Sequence, residues 1–180
     1  MQGELFEEEP PEYSIEYEDY MNAFKTALFF QEWIEERDEE YLLEKYDIRP
    51  GEVHAKLDRI EWVLFSAQEL CRITQKHDLL KDILKLRIRL KYGAREELLS
   101  LLRLKNIGRI RARALYAKGI TDIRAVKAAD DEVLKQLLGQ SLAKDVKKQV
   151  GEKPEKRQES LEDYAELLSG SINAARNDRS

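Results

Sequence analysis

What the chain has little of narrows its class at once. A single cysteine, Cys71, excludes an internal disulfide framework and suits a reducing cytoplasm. Eight glycines and four prolines in 180 residues are too few for a turn-rich β-sandwich or barrel. No glycine is followed by lysine, so the Gly-Lys-Ser/Thr step that cradles nucleotide phosphates is absent. His54 and His77 stand apart, with no ligand cluster at metal spacing. No Gly-x-Ser-x-Gly elbow marks a hydrolase nucleophile. No apolar run approaches the ~20 residues that span a bilayer, and the acidic N-terminus does not read as a signal peptide. The expectation is a soluble cytoplasmic protein with no catalytic residue, metal or cofactor of its own.

What the chain does have is charge, unevenly placed. Residues 1–50 hold 4 basic and 16 acidic residues, whereas residues 51–151 hold 22 basic and 13 acidic. Residues 81–118 alone carry 12 basic residues against 3 acidic. Such a cluster suits a polyanion, because lysine and arginine release counterions from phosphates. For an average cluster, a solvated helix face is the plainer explanation.

The hydrophobic spacing predicts an all-α fold. Residues 1–16, acidic and broken by Pro10 and Pro11, are expected to lack stable structure. A helix is expected from about Asp19, with Ala23, Ala27, Phe30 and Ile34 on one face. Asp38 caps a short helix through Tyr46, and Pro50-Gly51 opens a long helix to about Ile73. Another spans His77 to Tyr92 and stops at Gly93. Short helices follow at about 95–103, 109–118, 122–128, 130–138 and 142–150, then a charged linker at 152–160 and one or two turns at 161–168.

On the long helix, Val53, Leu57, Ile60, Leu64, Ala67 and Cys71 fall on one line at 100° per residue. Trp62 points about 180° away, with Ala55, Arg59 and Ser66. A tryptophan so placed beside an arginine can stack on an unpaired base. Alternatively the helix is sandwiched and Trp62 is buried against a second neighbour, and angle alone favours this.

The segment from Leu101 to Ile123 reads as two short amphipathic helices around a turn at Asn106-Ile107-Gly108. Gly108 lets backbone approach a phosphate, and the next helix offers free N–H groups at its start. Lys105 precedes the turn, and Arg109 and Arg113 lie one helical turn apart on one face. This is the pattern of a helix-hairpin-helix module; the alternative is an ordinary basic corner.

Three blocks give a more specific likeness. They are Ala27-Leu-Phe-Phe-Gln-Glu-Trp-Ile-Glu-Glu36, then Glu44-Lys-Tyr-Asp-Ile-Arg-Pro-Gly-Glu52 with Ile60-Glu-Trp62, and Arg87 to Leu98 continuing through Ile107-Gly-Arg-Ile-Arg-Ala-Arg-Ala-Leu-Tyr116. Together they resemble the C-terminal part of archaeal Ski2-type superfamily 2 DNA helicases, over about residues 20–150. The resemblance implies a helical ratchet-like domain at 18–93 and a helix-hairpin-helix domain at 94–151, between an acidic segment at 1–17 and a linker and tail at 152–180. It implies that Trp62 stacks on a DNA base, and that Arg109, Arg111 and Arg113 hold the emerging strand. Where the family has a basic residue two turns before the tryptophan, this chain has Ala55, flanked by His54 and Lys56. A second hairpin is expected around Gly139, without a second glycine. The ATP and magnesium of the family belong to motor domains that this sequence does not contain.

In the tail, Gln158, Leu161 and Tyr164 resemble a sliding-clamp binding box, with Ala165 in place of the second aromatic. The simpler reading is that Leu161, Tyr164 and Leu168 dock on the chain's own bundle or stay undocked.

The reading that joins these features is an accessory region of an ATP-dependent DNA helicase. It grips single-stranded or branched DNA in repair or replication-fork processing, through Lys56, Arg59, Trp62, Lys105, Gly108, Arg109, Arg111 and Arg113. Two alternatives stay open: a protein-interaction module recruiting repair or replication factors, and a stand-alone helix-hairpin-helix protein.

Overall fold

The computed structural model describes residues 9–152 together with Tyr164 and Leu168. Among these residues the fold is all α, with nine α-helices, one 3-10 turn and no strand.

Helix α1 runs Ile15–Ile34 and begins four residues before the expected start. The prolines end just upstream, Ser14 occupies the N-cap, and Glu16 and Glu18 complement the helix dipole in the first turn. The break to α2 (Glu39–Tyr46) is sharp: Glu36 takes φ +63°, and the Asp38 side chain accepts from Tyr41 N–H at 3.1 Å. Asp47, with φ 50°, ends α2. Helix α3 (Pro50–Ile73) starts with proline at its first position, and the Glu52 carboxylate accepts from Arg49 N–H at 2.7 Å. Helix α4 (His77–Tyr92) ends on Gly93, whose φ is +59°.

Shorter elements then follow: a 3-10 turn (Glu96–Leu98), α5 (Leu99–Leu102), α6 (Arg109–Ala117), α7 (Ile123–Ala128), α8 (Asp131–Leu138) and α9 (Gln140–Glu152). Asp122 and Asp130 cap α7 and α8 through Ala125 N–H and Glu132 N–H.

Burial organises the helices around two hydrophobic clusters. The first gathers Phe29 and Trp33 of α1, Leu42 and Tyr46 of α2, Val53 of α3 and Leu90 of α4. Its centre is aromatic, with Phe29 stacked on Trp33 and edge-on to Tyr46. The indole N–H of Trp33 donates to the Leu90 carbonyl at 2.7 Å and ties α1 to α4. The second cluster holds Leu80, Leu84 and Ile88 of α4 with residues from α5 to α9. Helix α4 therefore lines both. Its Arg87 is buried and bonds both Glu61 and Gln68 of α3, while its guanidinium lies 5.3 Å from the Phe65 ring.

Tyr164 is 1% exposed and belongs with Leu168 to the second cluster. The ring therefore packs on the chain's own helices, as the docking alternative expects, and is not presented at the surface. Gln158 and Leu161 lie outside the described residues. No helix among the described residues is long and apolar enough to cross a membrane.

Candidate nucleic-acid interface

Helix α3 sets the first half of the site. Its inner line, with Val53 buried and Leu57, Ile60 and Leu64 partly buried, packs into the first cluster. Among the described residues, the opposite side is largely exposed. Trp62 is 70% exposed there, so no second neighbour among the described residues buries it. Arg59 is exposed on the same side, and the Ser66 hydroxyl returns to the Trp62 carbonyl at 3.0 Å. Lys56 is half-buried, with its ammonium 3.3 Å from the Thr26 hydroxyl of α1. Val63, Phe65, Leu70 and Ile73 add further exposed apolar area along α3.

The rotation of α3 that presents Trp62 is fixed from behind. Glu61 and Gln68 flank that turn and both bond Arg87. Burial weighs on the nearby Lys91 ammonium and pushes its pKa down, against the attraction of Glu61.

The hairpin between α5 and α6 sets the second half. Asn106 takes φ +65°, and Ile107 N–H closes the turn on the Leu104 carbonyl. Lys105 N–H donates to Gln149 Oε1 of α9 at 2.8 Å, which leaves its exposed side chain pointing from a fixed loop. Gly108 is the N-cap of α6, with an extended backbone and no side-chain cap. The left-handed residue of this turn is therefore Asn106 and not the glycine. A Cβ at Gly108 would meet nothing within 4 Å, so no internal contact requires glycine there.

The three arginines of α6 divide. Arg111 is exposed, and its Nη1 donates to the Asn106 carbonyl at 3.0 Å. Arg113 instead holds the Glu36 carboxylate with Nε and Nη2, each at 2.7 Å, and reaches Glu97 at 2.9 Å. Arg109 lies 4.9 Å over the Trp33 ring, with Nη2 3.9 Å from Glu39. Residues 109 and 113 do share a face, as their spacing requires, but that face meets the α1–α2 corner. The hydrogen bonds that Glu36 accepts strengthen the hold of Arg113 on its proton. Burial opposes the charge on Glu36, but bonds from Arg113 and from Arg95 N–H outweigh it and lower its pKa.

Sequence reasoning singled out the arginines and missed the carboxylates that meet two of them. Glu36 and Glu97 read as ordinary members of an acidic stretch and of a helix start. Only the folded corner brings them to α6.

With this geometry in hand, the comparisons with known proteins are specific. A family model described as archaeal helicase, domain 4, matches residues 1–93. The chain belongs to that family, and it is homologous to the C-terminal region of Ski2-type helicases. It is similar to the ATP-dependent DNA helicase Hel308 of Methanococcus vannielii, 42% identical over 111 residues covering 61% of this chain and 14% of that protein. The Hel308 of Caldivirga maquilingensis is 38% identical over 129 residues, 71% of this chain and 17% of that protein. The Hel308 of Thermococcus kodakarensis is 33% identical over 175 residues, 91% of this chain and 16% of that protein. The chain thus spans between 14% and 17% of the length of these three relatives.

Proposed function

We propose that this chain is a DNA-binding accessory region of an ATP-dependent helicase, gripping single-stranded or branched DNA without reading its sequence. The observation that carries the reading is Trp62: a large aromatic ring, 70% exposed, beside Arg59 on the uncovered side of a long helix. A ring so presented stacks on any base, because every base has a π-face. Lys56, six residues earlier on α3, keeps ammonium donors beyond its bond to Thr26. At the hairpin, Lys105 and Arg111 supply positive charge next to uncapped N–H groups at the start of α6. The open space at Gly108 lets a phosphate come close to that backbone. ATP hydrolysis belongs, in this reading, to motor domains such as those of the full-length relatives.

A second reading rests on the exposed Val63, Leu70 and Ile73, which share one side of α3 and suit a protein partner. Salt separates the two. Affinity for a labelled single strand should fall with salt, at a log–log slope of roughly 0.7 per phosphate contact. Binding that ignores salt, or no binding to DNA at low salt, would favour the protein-docking reading.

A further inference from the structure

The three arginines of α6 do not share one task. Successive positions on a helix turn by 100°, so residues two apart face nearly opposite ways and residues four apart face together. Arg111 accordingly looks outward, and Arg109 and Arg113 look toward the corner between α1 and α2.

Arg113 meets that corner with its Nε–Nη2 edge, the one that grips a carboxylate or phosphate in two parallel bonds. Glu36 fills that edge, and Glu97 accepts a further bond from Nη2. A phosphate cannot take the same edge while Glu36 holds it. Glu36 is itself well fixed. It sits at φ +63°, its side chain is 16% exposed, and Oε1 also accepts Arg95 N–H at 2.9 Å. Arg109 is closed off differently. Its guanidinium lies against Trp33, and its Nη1 is buried without a hydrogen-bond partner among the described residues. Gly93 makes room for this stack: a Cβ there would lie 2.8 Å from the Trp33 ring and 2.9 Å from Arg109 Nη1.

We propose that Arg113 and Arg109 form an internal clasp with the α1–α2 corner, with Glu36 as its positioning carboxylate, and that the hairpin's phosphate contacts are left to Arg111, Lys105 and the start of α6. The second half rests on the DNA-binding reading above; the first does not. The clasp fixes how the hairpin sits on the helices that carry Trp62. It also explains why a basic R-x-R-x-R run lies beside one of the most acidic stretches of the chain.

The test uses the full 180-residue chain and a labelled single-stranded oligonucleotide of mixed sequence. Arg113→Ala and Glu36→Gln should each lower the melting temperature by roughly 4–8 °C, and the double variant should fall no further than the worse single. The salt slope should be unchanged in Arg113→Ala and should shrink by roughly 0.7 in Arg111→Ala. If Arg113→Ala fails to fold, Glu36→Gln, which keeps the shape of the side chain, carries both measurements. A slope that shrinks as much in Arg113→Ala as in Arg111→Ala would overturn the proposal. So would a slope that grows in Glu36→Gln, since Glu36 would then be masking a phosphate contact. Additive melting losses would overturn the clasp itself. If the unaltered chain binds no DNA, the DNA reading fails, and the melting cycle alone still decides the clasp.

Discussion

Arg87 on α4 grips Glu61 on α3 through two nitrogens, one residue before the exposed Trp62. The pair sits where α3 and α4 pack along each other, with Gln68 bonded to the same guanidinium. It therefore holds the turn of α3 that aims the indole outward. Arg87→Met keeps most of the stem's packing but leaves Glu61 and Gln68 without their donor. Because Glu61 is partly exposed, the loss should fall below that of a fully buried pair, at roughly 2–3 kcal/mol. Urea denaturation reads this directly. Unchanged stability would mean that the stem, and not the charge, holds the helices together.

Gly93 carries two requirements at once, a left-handed backbone and the close approach of Trp33 and Arg109. Gly93→Ala should destabilise the chain by about 2–4 kcal/mol, more than backbone strain alone. A loss under about 1 kcal/mol would show that the Trp33–Arg109 stack yields easily.

The sequence made some of this legible. Gly93, Asp38 and Pro50 mark helix ends by local chemistry that needs no tertiary context, and each ends or caps a helix as expected. The spacing also placed Trp62 opposite the inner line of α3. Whether a second neighbour covered it was beyond helical angle, since a sandwiched helix and a one-sided helix share the same periodicity. The arginines show the same limit. Alternation along Arg109, Arg111 and Arg113 already implies two faces, but the partner of the 109/113 face is Glu36, 77 residues from Arg113. No local pattern announces a pair at that separation. The start of α1 was missed because Pro10-Pro11 and the acidic run outweighed the cap at Ser14. At Tyr164 the short motif and docking on the chain's own bundle are both open in the sequence, because its burial depends on the second cluster as a whole.

Glu36 gives the clasp a pH dependence with a definite sign. Its carboxyl is held below the ordinary value of 4.5 by Arg113 and Arg95 N–H, against the opposing effect of burial. A lowered carboxylate stabilises the fold above its unfolded pKa and loses that contribution as pH falls through the folded one. The melting difference between the unaltered chain and Glu36→Gln should therefore be full at neutral pH and shrink below pH 4.5. A difference that stays constant well into the acid range would show that the Glu36 charge is not what the corner uses.

The most direct test of the account is Trp62→Ala, read in two ways on the same sample. A ring 70% exposed contributes little to the core, so the melting temperature should stay within about 2 °C of the unaltered chain. Loss of a base-stacking platform should weaken single-strand binding by roughly 1–3 kcal/mol. That is a rise in Kd of about fivefold to more than a hundredfold. An unchanged Kd at unchanged melting temperature would contradict the central claim, because the most exposed aromatic ring of α3 would then have no part in holding DNA.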